Sequence, residues 1–267
     1  MPKSPFLRKE ARVGTHRRVH PTVAPLAERN AYIGGCDGVS VGIGAKLIGK
    51  EPVGTMPHAL ILLMGNTVSA TKAFDEVIEP RVKRISLIDT FNDEKVEALN
   101  VARELGNRLY GVRLDTPGSR RGDFLKIMRE IRWELDLRGH QEVRILISGG
   151  INEKDIKRYN PLADAYGVGT AISSAPAVDF SMDIVEINGK PISKRGKMSG
   201  SKSVFRCVEC GATRVSPSGQ NPGRCPCGGA AEDILVPFVA YGNMQYDLPS
   251  ASQIRDFVLK QLKQAEL

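Results

Sequence analysis

Four apolar runs along this chain end in residues suited to holding a phosphorylated sugar. SLIDT carries Asp89, GVRLDTPG carries Arg113 and Asp115, ILISGG ends on Ser148, Gly149 and Gly150, and YGVGT ends on Gly169 and Thr170. Glycines let backbone amides approach an anion closely, and a hydroxyl beside them adds a donor. The two Gly-rich ends together suit one monophosphate, as in barrel phosphate sites built from late strands. Arg113 and Asp115 are two residues apart and so share one strand face. That face can hold a sugar hydroxyl and a phosphate, or carry a structural ion pair. Asp89 suits a magnesium ion, which favours carboxylates with phosphate oxygens, and it also suits a helix cap. Gly and Asp make turns for purely structural reasons; four such ends in succession are harder to explain that way.

Histidines add two further groups. His58 lies in GTMPHALI, just ahead of an apolar run; GTHRRVHP bunches His16, Arg17, Arg18 and His20. Adjacent arginines suit a carboxylate or a pyrophosphate, although a solvated charge run has the same composition. Cys207-x2-Cys210 is followed after fourteen residues by Cys225-x-Cys227-Gly. Each pair sits on a Gly-containing turn, which aims two thiolates at one tetrahedral ion. Four Cys leave no position for water, so the expected ion is a structural Zn2+. The rival is a redox CxxC, but no thioredoxin-like pattern surrounds it. Cys36 stands alone. GSKS at 200–203 lacks the spacing of a phosphate-binding P-loop.

These groups need elements to carry them. The pattern predicts strands at 59–63, 85–88, 110–114, 143–147 and 165–168, with a later β-type run at 183–187. Helices are predicted at 39–48, 67–78, 94–105, 124–137 and 153–159, and an amphipathic one at 251–263. Alternating strands and helices imply a parallel sheet with right-handed crossovers, and functional groups gather at the carboxyl ends of such strands. The expected organisation is a flexible basic arm at 1–13, an α/β domain at 14–203, a four-cysteine module at 204–232, and a C-terminal segment with its helix at 233–267.

Composition bounds the possibilities. The chain has 267 residues, 41% hydrophobic and 25% charged, ordinary values for a globular protein. No apolar run approaches the roughly 18 residues of a membrane span, and the first residues lack the apolar core of a secretory signal. The expected compartment is the cytoplasm. A net charge of +8 favours anionic partners. With 6% aromatic residues and no basic-aromatic interleaving, nucleic acid is not the expected one.

In this order, GTHRRVHP, YIGGCDGVS, PVGTMPHALI, SLIDTFNDEKVEAL, GVRLDTPGSRRGD, ILISGGI, YGVGTAIS and VEINGKPISKRGKMSGSK resemble nicotinate phosphoribosyltransferase, particularly its short archaeal and bacterial forms. The matching segments span roughly residues 14 to 202, and some short archaeal forms also carry a four-cysteine knuckle. The resemblance implies an irregular TIM-like α/β barrel of the nicotinate and quinolinate phosphoribosyltransferase type, with a small zinc-knuckle module. It also implies a reaction in which nicotinate displaces pyrophosphate from phosphoribosyl pyrophosphate (PRPP) with Mg2+, giving nicotinate mononucleotide. ATP is coupled through a phosphorylated histidine, which His58 matches. Asp115 and Arg113 match the pair holding the ribose and its phosphates, and Asp89 matches an acid facing magnesium pyrophosphate. Ser148, Gly149, Gly150, Gly169 and Thr170 match the 5′-phosphate cup. Arg17 and Arg18 match a basic pair near the nicotinate and pyrophosphate sites, and Asp37 lies where relatives contact the pyridine ring or its substituent.

The sequence departs from the family in places. A basic arm stands where the family has an N-terminal domain, Val13 replaces a common aromatic, and His16 replaces a frequent Arg. In the family that domain stacks an aromatic on nicotinate and closes a neighbouring subunit's site. The expectation is therefore a truncated or split form that works as a homo-oligomer or with a complementing N-terminal domain. Two rivals stand beside it. One is a quinolinate-type phosphoribosyltransferase, which has no use for a phosphohistidine. The other is a non-catalytic remnant that binds nucleic acid or a partner protein.

Overall fold

The computed structural model describes residues 10–14 and 19–263. They pack as two compact units, one of the described residues up to 175 with 250–259 and one of 176–249 with 260–263. The first therefore ends its main run at Ala175, ahead of the boundary expected near residue 203.

The first unit contains β1 (Glu10–Val13), α1 (Ala24–Ile33), β2 (Gly38–Val39), α2 (Gly42–Leu47), α3 (His58–Met64), α4 (Thr67–Val77) and β3 (Arg84–Leu87). It continues with α5 (Glu94–Leu105), β4 (Leu109–Leu114), α6 (Phe124–Leu137), β5 (Arg144–Ile147), α7 (Glu153–Tyr159), β6 (Ala165–Val168) and α8 (Thr170–Ser173). The six strands form one sheet in the order β2-β1-β6-β5-β4-β3, and every pairing is parallel. That is the cyclic order of a barrel with the β2–β3 pairing left out, so the α/β barrel is irregular and open at one seam.

The seam has a local cause. HALILLM, read as a strand at 59–63, is instead helix α3. A continuous apolar run does not distinguish strand from helix. Here Pro57 precedes the helix, and Gly65 ends it at φ +69°, a position that suits Gly after a helix. Only Ile61 of α3 is fully buried, while Leu62, Leu63 and Met64 are exposed. A central strand would bury both faces.

Helices α5, α6 and α7 match their predicted bounds, and their caps explain why. Asp93 accepts from the amides of Lys95 and Val96, Asp123 from Lys126, and Asn152 and Asp155 form a reciprocal capping box. Such caps are written in local sequence. The core lies between these helices and β4, β5 and β6, with Phe124 packed edge-on against Tyr159 at 5.3 Å.

Residues 10–13 correct the expectation of a flexible arm: they are β1, paired on one side with β6 and on the other with β2. EARV contains one long apolar residue, Val13, and its ladders are to residues far along the chain, so no local pattern marks it. Helix α1 was also absent from the sequence reading. It buries Glu28, which accepts from the Ser40 and Val41 amides at 2.9 and 2.8 Å. Glu28 Oε1 accepts from the Ser40 hydroxyl at 2.9 Å, and a buried acid with both oxygens so used is structural.

In the second unit, β7 (Glu186–Ile187) and β8 (Lys190–Pro191) form a hairpin across Asn188 and Gly189, both at positive φ, the Asn-Gly chemistry of a tight turn. The β-type run at 183–187 thus forms a strand only at its end. Strands β9 (Lys202–Cys207), β10 (Thr213–Pro217) and β11 (Ala231–Asp233) make an antiparallel sheet in the order β10-β9-β11. A short hairpin, β12 (Val239–Ala240) with β13 (Asn243–Met244), follows. The last helix, α9 (Ala251–Leu262), lies mostly in the first unit.

Candidate active site

The carboxyl ends of β3, β4, β5 and β6 carry Asp89, Asp115, Ser148–Gly150 and Gly169–Thr170 on one continuous rim. Parallel pairing in register places them there. The close contacts join them pair by pair. The Asp115 amide donates to Asp89 Oδ2 at 2.9 Å. Gly149, at φ +83°, packs so tightly on Asp115 that an added Cβ would lie 2.7 Å from its Oδ1. Gly167 packs on Ser148, and Gly169 on the Gly14 carbonyl. These approaches are why Gly stands at both strand ends.

His58 reaches the rim across the open seam. The segment leading to it runs extended: the Val53 amide donates to the Val39 carbonyl at 2.8 Å, and the Met56 carbonyl accepts from Arg113 Nη2 at 2.7 Å. His58 then stands first in α3, with Nε2 3.3 Å from Asp89 Oδ1. The Asp89 side chain is 2% exposed and that of His58 41% exposed. Burial pushes the Asp89 carboxyl above its usual range, and the nearby His58 charge and Asp115 amide oppose that rise in part. Thr90 Oγ1 is buried without a hydrogen-bond partner, and buried Asp89 Oδ1 has the His58 ion-pair contact but no hydrogen bond; such atoms call for a ligand, an ion or water.

Asp37 does not join this rim. It precedes β2 and pairs with Ala11 in both directions, its amide donating at 2.7 Å and its Oδ2 accepting at 2.9 Å. That sets it about 10 Å toward the amino ends, three residues back from Gly14 at ~3.3 Å per residue. Its Oδ1 faces Arg255 of α9 at 3.2 Å. Arg17 and Arg18, with His16, lie outside the described residues. Sequence reading missed Arg121, which is 9% exposed and donates to the carbonyls of Thr116, Ser148 and Gly149; GSRRGD reads as a charged loop. A cavity of about 520 Å³ lies at the other end of the strands, around Arg84, Leu109 and Arg144. It contains none of the rim residues.

The second unit carries a candidate metal centre. The Sγ atoms of Cys207, Cys210, Cys225 and Cys227 all lie within 4.8 Å of one another. Cys207 and Cys227 are 3.5 Å apart, Cys210 and Cys225 3.6 Å. A tetrahedral ion with ~2.3 Å metal–sulfur bonds separates its sulfurs by about 3.8 Å, so the cluster fits one ion. Gly211 and Gly228 turn the two knuckles at positive φ, and a Cβ on Gly229 would lie 2.7 Å from Cys207 Sγ. The Cys210 amide, helped by that of Glu209, holds the Cys207 thiol down to about 6, favouring the thiolate that binds metals.

With this geometry in place, comparison with known proteins identifies the family. Residues 6–183 match the family described as quinolinate phosphoribosyl transferase, C-terminal domain. The chain belongs to this family. The chain is 28% identical over 260 residues to nicotinate phosphoribosyltransferase pncB2 of Mycobacterium tuberculosis, covering 92% of this chain and 54% of that protein. It is 27% identical over 213 residues to the nicotinate phosphoribosyltransferase of Bacillus subtilis, covering 73% and 42%. It thus spans about half the length of the curated relatives it matches. Among solved structures, the nicotinate-nucleotide pyrophosphorylase from Pyrococcus furiosus superposes with a TM-score of 0.92 at 51% identity, covering 97% of this chain and 67% of that one. Human nicotinic acid phosphoribosyltransferase, at 18% identity and a TM-score of 0.68 over 98% of this chain and 67% of that one, shares the fold.

Proposed function

We propose that this chain is the catalytic barrel of a nicotinate phosphoribosyltransferase. It would join nicotinate to PRPP, coupled to ATP, to give nicotinate mononucleotide and pyrophosphate. The observation that carries this reading is the contact of His58 with Asp89 on the rim that also holds Asp115 and the Ser148–Gly150 loop. A histidine with one edge held by a buried carboxylate and 41% of its side chain open suits phosphoryl transfer from ATP. A phosphohistidine serves the ATP-coupled nicotinate reaction and has no use in the quinolinate one.

In this mechanism the pyridine nitrogen attacks the anomeric carbon of PRPP as the bond to pyrophosphate breaks. The Asp115 carboxylate stabilises the positive charge that develops on the ribose, and Arg113 stabilises the departing pyrophosphate. The Ser148–Gly150 and Gly169–Thr170 loops hold the 5′-phosphate. Removing one such preorganised group typically costs ~10²–10³ in rate. Asp89 Oδ1 is buried with the His58 Nε2 contact but no hydrogen bond, which leaves it lone pairs for a cation, so Asp89 with Asp115 would hold the Mg2+ that arrives with PRPP and neutralises pyrophosphate. The four thiolates would hold a structural Zn2+. The exposed Leu62, Leu63 and Met64 beside His58 suit a covering partner, either a second copy or a complementing domain.

A second reading follows from the family description: a quinolinate-type enzyme uses the same phosphate cup and carboxylates and releases CO2. Incubation with PRPP and Mg2+ separates the two. Mononucleotide from nicotinate, faster with ATP and lost in His58→Gln, supports the first. Turnover of quinolinate alone supports the second, and no turnover of either acid, with or without a complementing N-terminal domain, sinks both.

A further inference from the structure

We propose that Arg121 is the positioning residue of the Ser148–Gly150 loop and the fixed positive charge behind its anion site, and that it sets affinity for the 5′-phosphate of the ribosyl donor. The inference rests on the phosphoribosyl-transfer reading above.

Arg121 is buried, and it makes no ion pair with any described residue. Its Nε donates to the Thr116 carbonyl at 3.0 Å, and its Nη2 donates to the Ser148 carbonyl at 3.4 Å and to the Gly149 carbonyl. Its guanidinium lies over the Phe124 ring at 4.8 Å. Carbonyl dipoles and a ring face carry only partial negative charge. A buried cation without an anion is costly, so this site favours an anion nearby.

The loop offers the place for one. In a trans peptide the C=O and the following N–H point in opposite directions. With the Ser148 and Gly149 carbonyls turned to Arg121, the Gly149 and Gly150 amides face the other way. Neither amide donates to any described residue. Both residues have positive φ, +83° and +73°, a conformation Gly alone adopts without strain. Two consecutive free amides, backed by a buried cation across one peptide layer, form an anion site. Arg121 also ties this loop to Thr116, the residue after Asp115, so one side chain sets the spacing between the phosphate site and the carboxylate at the ribose.

The test uses the full chain as wild type, Arg121→Lys and Arg121→Met, with calorimetric binding of inorganic phosphate, ribose 5-phosphate and Mg2+-PRPP. Losing the fixed charge behind the two amides predicts roughly 10–100-fold weaker binding of all three in Arg121→Met, and the unliganded melting midpoint falls as well, because the Thr116, Ser148 and Gly149 carbonyls lose their donor. In turnover, the KM for PRPP should rise while that for the pyridine acid stays put, a split that a general loss of structure does not produce. A folded Arg121→Met that binds all three as wild type does overturns the inference. Should that variant fail to fold, Arg121→Lys decides. Its single ammonium cannot span three carbonyls, so several-fold weaker binding is expected, and unchanged affinity overturns the positioning role. Arg121-dependent binding of inorganic phosphate without PRPP binding supports the anion site and removes the phosphoribosyl reading. Absence of any phosphate binding in the wild type removes both.

Discussion

His58 Nε2 stands 3.3 Å from Asp89 Oδ1 across the seam where β2 and β3 do not pair. The carboxylate is shut away from solvent and the imidazole is open on its other side. The protein has therefore buried an acid whose neighbours oppose its desolvation only in part.

That burial makes stability depend on pH. Burial raises the Asp89 carboxyl above its ordinary value. A raised folded-state pKa means that the stability it contributes is complete below the unfolded value of about 3.9 and is lost as pH rises through the folded one. Asp89→Asn removes the titration while keeping an acceptor for the Asp115 amide. Urea denaturation from about pH 4 to about pH 7 should therefore show wild type losing stability relative to Asp89→Asn. A gap that stays constant, or moves the other way, would mean the carboxyl is not raised.

Gly149→Ala tests the coupling between the phosphate loop and Asp115. The new Cβ would lie 2.7 Å from Asp115 Oδ1 and 2.9 Å from its carbonyl, at φ +83°. The loop or the carboxylate must shift, and misplacement by about 1 Å can cost ~10²-fold in rate. Steady-state assays should show kcat/KM for PRPP down by about that factor, with the four-thiol site unaffected. A variant as active as wild type would show that the loop is not part of the reacting geometry.

Gly229→Ala tests the metal centre without replacing a ligand. Its Cβ would lie 2.7 Å from Cys207 Sγ and 2.7 Å from Glu209 Cγ, so it intrudes on the cluster. Elemental analysis should find one zinc per wild-type chain and substantially less in the variant, with more thiols open to titration. A wild-type protein purified without metal, with all four thiols reactive, would refute the zinc assignment.

Arg255→Ala tests the docking of α9. Arg255 donates to the Tyr32, Gly35 and Cys36 carbonyls and faces Asp37. Its side chain is 13% exposed and that of Asp37 45%. Losing charged hydrogen bonds to buried carbonyls should cost about 1.5–3 kcal/mol. Asp37→Asn, which breaks only a half-exposed ion pair, should cost under ~1 kcal/mol. Equal losses in urea denaturation would shift the weight to the ion pair. A large fall in nicotinate affinity in Asp37→Asn, with PRPP affinity unchanged, would return Asp37 to the pyridine site.

Some of this was legible locally. Helices α5, α6 and α7 announce themselves through Asp93, Asp123 and the Asn152–Asp155 box, which act within a few residues. Strands β3 to β6 read as short apolar runs ending in turn residues, and the cysteine spacing already described two knuckles on one ion. HALILLM was misread because a helix at a seam and a buried strand share an unbroken apolar run. Strand β1 was missed because both of its partners are distant in sequence.

By itself the sequence determined which chemical groups are present and, through strand-and-helix alternation, that most would stand at the carboxyl ends of parallel strands. Only the tertiary structure decided which of them meet. It set His58 against Asp89 across an open seam, drew Asp37 away to Arg255, and turned Arg121 from a charged loop residue into a buried cation under the Gly149 carbonyl. The reason is physical. Caps and turns are satisfied by neighbours in the chain, whereas ion pairs and burial depend on pairing distant strands, which no local pattern encodes.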